Sequence, residues 1–268
     1  LQPDHRALTD RIATAARLSL TALADIPAVQ TGDDLARLVL AGLAASGERL
    51  ADGDVLVLAQ KIVSKAEGRA VRLADVTASP RARELAPQCD KDPRLVELIL
   101  SESAEVLRVR PGVIVVQHRL GFVLANAGID RSNIGPEDDD DRVLLLPRDP
   151  DGSARALRER LEAESGVALA VIINDSLGRA WRNGTIGTAL GASGLPALVD
   201  LRGRPDLFRR ELQTTEVGLA DEIAAAASLL MGQADEGRPI VLLRGLSVDR
   251  RTGTGQELIR RRELDMFR

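Results

Sequence analysis

In Gln60-Lys61-Ile62-Val63-Ser64-Lys65 two lysines lie four positions apart, in a chain whose 36 basic residues include only three Lys, the third being Lys91. A Lys ammonium is a compact point charge that suits phosphate oxygens, whereas the planar Arg fork serves most other basic roles. The pair is therefore either a phosphate site or a coincidence on a solvated loop. Asp130 follows an apolar run and a Gly, with Ser132 and Asn133 just beyond, and Asp175 ends the most apolar run of the chain, next to Ser176. Magnesium or manganese beside a nucleotide takes one or two carboxylates and completes its shell with water and phosphate oxygens, so two Asp from separate strand ends suffice if those ends converge. For each Asp alone the competing reading is an Asx turn or a helix cap.

Arg179 and Arg182 flank Trp181 close behind Asp175, where they can clamp an anion bidentately or form a solvated pair. Met231-Gly232-Gln233-Ala234-Asp235-Glu236-Gly237-Arg238 offers an amide oxygen and exposed backbone groups after a helix, although Gly232 also serves as a simple C-cap. Four adjacent carboxylates, Asp138 to Asp141, beside Pro136 read as a solvated, self-repelling turn and not as a metal site. Asp221 and Glu222 are accounted for by the dipole of the helix they open.

The elements that must position these residues follow from periodicity and punctuation. The first twenty residues read as an arm or peripheral helix. Leu35, Leu38, Val39 and Leu43 have helical spacing, capped by Asp33 or Thr31 and closed near Gly47. Val55-Leu56-Val57-Leu58 is a buried strand leading into the Lys pair, with Ser64 to Gly68 as a loop. Ser79-Pro80 and Asp92-Pro93 each open a helix, the second reaching about Glu105. Val113–Gln117 and Phe122–Ala127 form a hairpin, and Arg142–Leu146 a strand before a helix over Ser153–Glu164. Ala168–Ile173 is a strand buried on both faces. Ser176–Gly194 reads as a functional loop, Val217–Met231 as a helix, Pro239–Leu243 as a strand and Gln256–Phe267 as a terminal helix.

This mixture of hairpins and crossovers predicts an α+β fold, with mixed sheets, packed helices and two intimately joined lobes. The expected organisation is an arm over 1–20, a main domain over 21–246 and a C-terminal loop and helix over 247–268. There is no G-x-x-x-x-G-K-[ST] and no strand followed by G-x-G-x-x-G, so P-loop and Rossmann architectures are disfavoured. Three Phe, one Trp, no Tyr and a net charge of -4 disfavour a nucleic-acid partner held by stacking. A single Cys89, read as structural, excludes an internal disulfide and fits a reducing cytoplasm; two His exclude a multi-histidine metal site. No apolar run approaches a bilayer span, so no membrane partner is expected.

Four blocks in order resemble one family. Gly53–Leu58 running into Lys61–Arg69, then Asn126-Ala127-Gly128-Ile129-Asp130-Arg131-Ser132-Asn133, Asp175-Ser176-Leu177-Gly178-Arg179-Ala180-Trp181-Arg182-Asn183-Gly184, and Ala220-Asp221-Glu222-Ile223-Ala224-Ala225 are similar to the coenzyme F420-0:L-glutamate ligases. The resemblance implies a GTP-dependent amide ligase that joins L-glutamate to the lactyl carboxylate of F420-0 through an acyl phosphate and extends the tail by γ-glutamyl bonds. It implies two divalent ions, Mg2+ or Mn2+, with K+ as a further cation, and an intertwined homodimer in the cytoplasm. Asp130 and Asp175 become metal ligands, with Ser176 and Gln233 completing the coordination of the second metal. Lys65, Gln60, Asn133, Ile26, Pro27, Ala28, Val29, Met231 and Gly232 become GTP contacts; Lys65, Asp130 and Asp175 carry the catalysis. Arg179, Trp181 and Arg182 are left for the acceptor substrate. Ser176 stands where Thr is more usual, and Gln233 where Glu is also found, which removes a charge. Some relatives add a flavin-binding domain after this region; with the chain ending at Arg268, no flavin reductase activity is expected. The rival readings are a metal-dependent GTP-using kinase or phosphohydrolase on a small acid, and a non-catalytic GTP-binding module.

Overall fold

The computed structural model describes residues 16–131, 141–247 and 251–266. The chain opens with strand β1 (Ser19–Ala22), helix α1 (Leu35–Ala45), β2 (Val55–Ala59) and α2 (Gln60–Ala66). A second group follows: β3 (Ala70–Arg72), α3 (Pro80–Cys89), α4 (Pro93–Ser101), β4 (Ser103–Arg110), β5 (Val113–His118), β6 (Val123–Ala125) and β7 (Arg142–Leu144). The chain then returns through α5 (Pro150–Ser165), β8 (Ala170–Arg179), β9 (Arg182–Ser193), β10 (Val199–Asp200), β11 (Glu216–Val217), α6 (Leu219–Met231) and β12 (Ile240–Arg244).

The main sheet has the order β1-β12-β2-β8-β9, with β2 and β8 parallel and the other neighbours antiparallel. A run with no polar residue on either face needs cover on both, and Val55–Leu58 of β2 and Ala170–Ile173 of β8 obtain it. Leu56, Leu58, Val171 and Ile173 pack under α1, α2 and α5 through Val39, Leu43, Ile62, Leu157 and Leu161. The alternate residues Val55, Val57, Ala170 and Ile172 face α6 through Leu219, Ile223, Ala227 and Met231. The period of two thus feeds two separate cores from one strand.

The second lobe has its own core, in which Leu85, Cys89, Val96 and Ile99 of α3 and α4 meet Ile114 and Val116 of β5. Strands β4-β5-β6 form an antiparallel meander and β3 pairs with β7. Cys89 is fully buried and its Sγ donates to the Leu85 carbonyl, so it packs as the structural residue the sequence suggested. The fold is α+β with mixed sheets, as expected.

Several boundaries differ from the sequence expectation. The end of the opening arm is not helical: Ser19–Ala22 is an edge strand of the main sheet, while residues 1–15 lie outside those described. Asp34 caps α1, accepting from the Ala36 and Arg37 amides, whereas Asp33 turns back to the Gln30 amide. The Lys pair belongs to a helix and not to a loop. α4 ends at Ser101, because Ser103–Arg110 alternates charged and apolar residues as a strand does. The expected functional loop over Ser176–Gly194 is a long β8–β9 hairpin turning at Ala180-Trp181. Among the described residues the expected terminal helix does not form; Gly255–Leu258 and Arg262–Leu264 are short 3-10 turns.

Candidate active site

Parallel neighbours deliver their carboxyl ends to the same edge, and here the register pairs Ala59 of β2 with Asn174 of β8. The next residues therefore emerge together: Gln60 and Lys61 from β2, Asp175 and Ser176 along β8. β12 runs the other way, so its start at Ile240, preceded by the loop after Met231, lies at that edge too. β1 is antiparallel to β12, and the Leu23 amide donates to the Ile240 carbonyl, which brings Ile26 to Val29 to the same place. Four segments remote in sequence converge because of strand direction alone, in the crevice beyond the carboxyl ends of parallel strands.

They line a cleft of about 700 Å³ that includes Ile26–Val29, Gln60, Lys61, Lys65, Asp130, Asp175, Ser176, Met231, Gly232 and Gln233. Each predicted nucleotide or metal residue among the described residues is in that lining; Asn133 and Ser132 lie outside the described residues. A larger cavity of about 1230 Å³ adjoins it, lined by Arg179, Trp181 and Arg182. Asp130, Asp175, Ser176 and Thr185 belong to both walls. The acid pair thus stands where the two spaces meet.

On α2 the positions 61 and 65 share a face, while Gln60, Ile62, Val63 and Ser64 are buried. The Lys61 Nζ lies 2.6 Å from Asp130 Oδ2. Lys65 makes no ion pair with a described residue; burial lowers its ammonium pKa and the Lys61 charge lowers it further. A half-buried cation repelled by its neighbour and open to a cleft favours an anion there. Asp130 is held by reciprocal backbone bonds with Leu144, after Asn126, Ala127 and Gly128 all adopt positive φ. Burial raises the Asp175 pKa and the Asp130 charge adds to it; the Ser176 amide, 2.8 Å from Oδ1, and Lys61 oppose the rise.

Two carboxylates, the Ser176 hydroxyl and the Gln233 amide oxygen are hard donors of the kind Mg2+ or Mn2+ prefers. Among the described residues no three His, Cys, Asp or Glu side chains cluster as a complete metal cage. The raised Asp175 beside Asp130 marks a pair in need of positive charge.

The loop after α6 starts with Gly232 at φ 73°, where a Cβ would collide with the Glu236 carboxylate. That carboxylate accepts the Ala234 amide at 2.9 Å, so the loop already gathers its own amides round an oxyanion. Of the Asp138–Asp141 run, residues 138–140 lie outside those described, and Asp141 accepts the Ala74 amide and pairs with Arg94. Asp221 does more than complement a dipole, since its Oδ1 accepts the Ala189 amide and ties α6 to β9. Trp181 lies at the hairpin tip, six residues along from Asp175 and about 20 Å at strand rise, not beside it.

Sequence reasoning passed over Thr185, which lines both spaces, and Asn174, which lines the smaller one. Thr185 carries no signal beyond a Gly-rich neighbourhood. Asn174 did carry one, as a polar residue inside an apolar strand: it is 4% exposed, its Nδ2 donates to Ser228 Oγ, and its Oδ1 is without a partner.

A family model described as F420-0:Gamma-glutamyl ligase matches residues 24–245. A protein named coenzyme F420:L-glutamate ligase from Methanothermobacter thermautotrophicus is 49% identical over 253 residues, covering 94% of this chain and 99% of the relative. Proteins of the same name from Methanopyrus kandleri and Archaeoglobus fulgidus are 47% and 43% identical, covering 90% and 94% of this chain and 93% and 97% of theirs.

Proposed function

Since the chain belongs to the F420-0:gamma-glutamyl ligase family, we propose that it forms the amide bond between L-glutamate and coenzyme F420-0 at the expense of GTP. The observation that carries this reading is the meeting of two cavities at one acid pair. A ligase must bring a nucleotide and an acceptor to a common point from different sides, and a single cleft would serve a hydrolase equally well.

GTP occupies the smaller cleft, with Lys65 and Gln60 against its phosphates and the Met231–Gln233 loop and Ile26–Val29 around the rest. The acceptor fills the larger cavity with its carboxylate at Asp130 and Asp175. That carboxylate attacks the γ-phosphorus, the bond to the β–γ bridging oxygen breaks, and GDP leaves. The glutamate amine then attacks the acyl carbon of the acyl phosphate; inorganic phosphate departs with the electron pair of the C–O bond and the amine nitrogen loses a proton. Repeating the step on the terminal γ-carboxylate extends the tail. One anion must approach another in the first step, and Lys65 lessens that repulsion from a fixed position. Divalent ions held by Asp130, Asp175, Ser176 and Gln233 would supply further neutralisation of the phosphates.

The protein is incubated with F420-0, GTP, L-glutamate and Mn2+ or Mg2+, and products are read by mass spectrometry. A glutamylated product that requires both GTP and glutamate is expected. GTP consumption indifferent to glutamate would instead indicate a kinase or phosphohydrolase, and GTP binding without turnover a binding module. We further propose a homodimer: the arm from β10 to β11 carries Leu207 and Phe208, 79% and 71% exposed, an apolar tip suited to a second copy. Sedimentation should give twice the chain mass, and a monomer at micromolar concentration would refute the assembly.

A further inference from the structure

The larger cavity is lined not only by Arg179 and Arg182 but also by Arg108 and Arg110 of β4, which belongs to the other lobe. Residues 108 and 110 are two apart on a strand and project to the same side, opposite Val115 and Val113 of β5. Arg179 and Arg182 are register partners across the β8–β9 turn. Like charges directly opposite on paired strands destabilise a sheet, as do neighbours on one face. None of the four makes an ion pair with a carboxylate among the described residues. Two of the four acids in the same wall are engaged elsewhere, Glu105 with Arg262 at 2.7 Å and Asp130 with Lys61 at 2.6 Å. Trp181, in the turn between Arg179 and Arg182, lines the same cavity, 79% exposed and held at φ 59°. A fold that sets two uncompensated guanidinium pairs round one cavity, away from the nucleotide cleft, is arranged for an anionic guest.

We infer that Arg108, Arg110, Arg179 and Arg182 form a clamp for an oxyanion of the acceptor other than the carboxylate that reacts, as a phosphoester would supply. The inference rests on the ligase reading and adds Arg108 and Arg110 to it. The clamp holds the acceptor by that second anion, leaving the reacting carboxylate at the acid pair where the two cavities join. Preference for a doubly anionic acid over a singly anionic one follows from the second contact.

The test measures affinity for F420-0 by its own fluorescence anisotropy, without GTP, in wild type and in the doubles Arg108→Gln/Arg110→Gln and Arg179→Gln/Arg182→Gln. Each double should bind F420-0 at least about ten-fold more weakly, the effect of losing charge-assisted hydrogen bonds. GTP affinity, measured by calorimetry, should stay within about two-fold. The wild-type affinity for F420-0 should also fall more steeply with salt than that of either double. F420-0 affinity unchanged in the Arg108/Arg110 double, or a parallel loss of GTP affinity, overturns the inference. The ligase reading fails separately: a wild type that binds F420-0 through these arginines yet forms no glutamylated product keeps the clamp and loses the reaction.

Discussion

Asp130 and Asp175 are useful only as a pair, and what makes them a pair is electrostatic. Burial and the neighbouring Asp130 charge both disfavour the Asp175 anion, and Lys61 offsets part of that cost. Asp175→Asn keeps the shape and the Ser176 amide contact while removing the charge a divalent ion would need. Turnover should fall by about 100-fold or more, with the melting temperature held or slightly raised because a disfavoured buried charge has gone. Product formation by mass spectrometry and a thermal melt check both parts; near wild-type turnover would remove Asp175 from the site. Lys61 and Lys65 diverge at this scale. The first has a carboxylate and the second faces the cleft without a described one, which is why we propose Lys65 as the phosphate contact.

At the scale of elements, the strands carrying the site were readable because an apolar run ending in a polar residue has few other interpretations. Asp175 at the end of Ala170–Ile173 and the Lys pair after Val55–Leu58 are such cases. What could not be read was that β2 and β8 lie side by side in parallel, since a whole lobe intervenes between them in sequence. The β9 half of the hairpin was missed because its outer residues are exposed and Gly- and Thr-rich, without alternation. The helix that carries the Lys pair has no signature in the sequence because it is only seven residues long and has no side-chain cap. β9 also explains its own glycines. A Cβ on Gly187 would overlap Ser228 Oγ and the Ala224 carbonyl of α6, so this glycine sets how closely α6 lies on the sheet. Ser228 in turn accepts from Asn174 in the cleft wall. Gly187→Ala should cost about 1–3 kcal/mol by overpacking and weaken GTP binding as α6 and its following loop shift. Denaturant melts and GTP titration test this; an unperturbed melt would mean that α6 has slack.

The molecule as a whole depends on two lobes keeping register, since Asp130 comes from one and Asp175 from the other. Arg69, leaving α2, donates to the Leu146 carbonyl and pairs at 2.9 Å with Glu102 at the end of α4. Glu102 also receives Arg119 at 2.6 Å, and the His118 Nε2 lies 3.5 Å away, while its Nδ1 accepts the Leu120 amide. Burial alone would raise the Glu102 pKa, but the His118 N–H and the Arg69 and Arg119 charges outweigh it and hold the group at about 2, against an ordinary 4.5. Because the folded value is the lower one, the stabilisation is complete above pH 4.5 and disappears as pH falls from there towards 2. Its size is about 3 kcal/mol, and the side chain is 8% exposed, so solvent screens little of it. Glu102→Gln should therefore be less stable than wild type by about 3 kcal/mol at pH 7, and the gap should close between pH 4.5 and 2. Calorimetric melts of both proteins across that range read the gap directly. If it stays constant down to about pH 3, near the middle of that window, the network does not hold the lobes together by charge, and packing of the second core must do so instead.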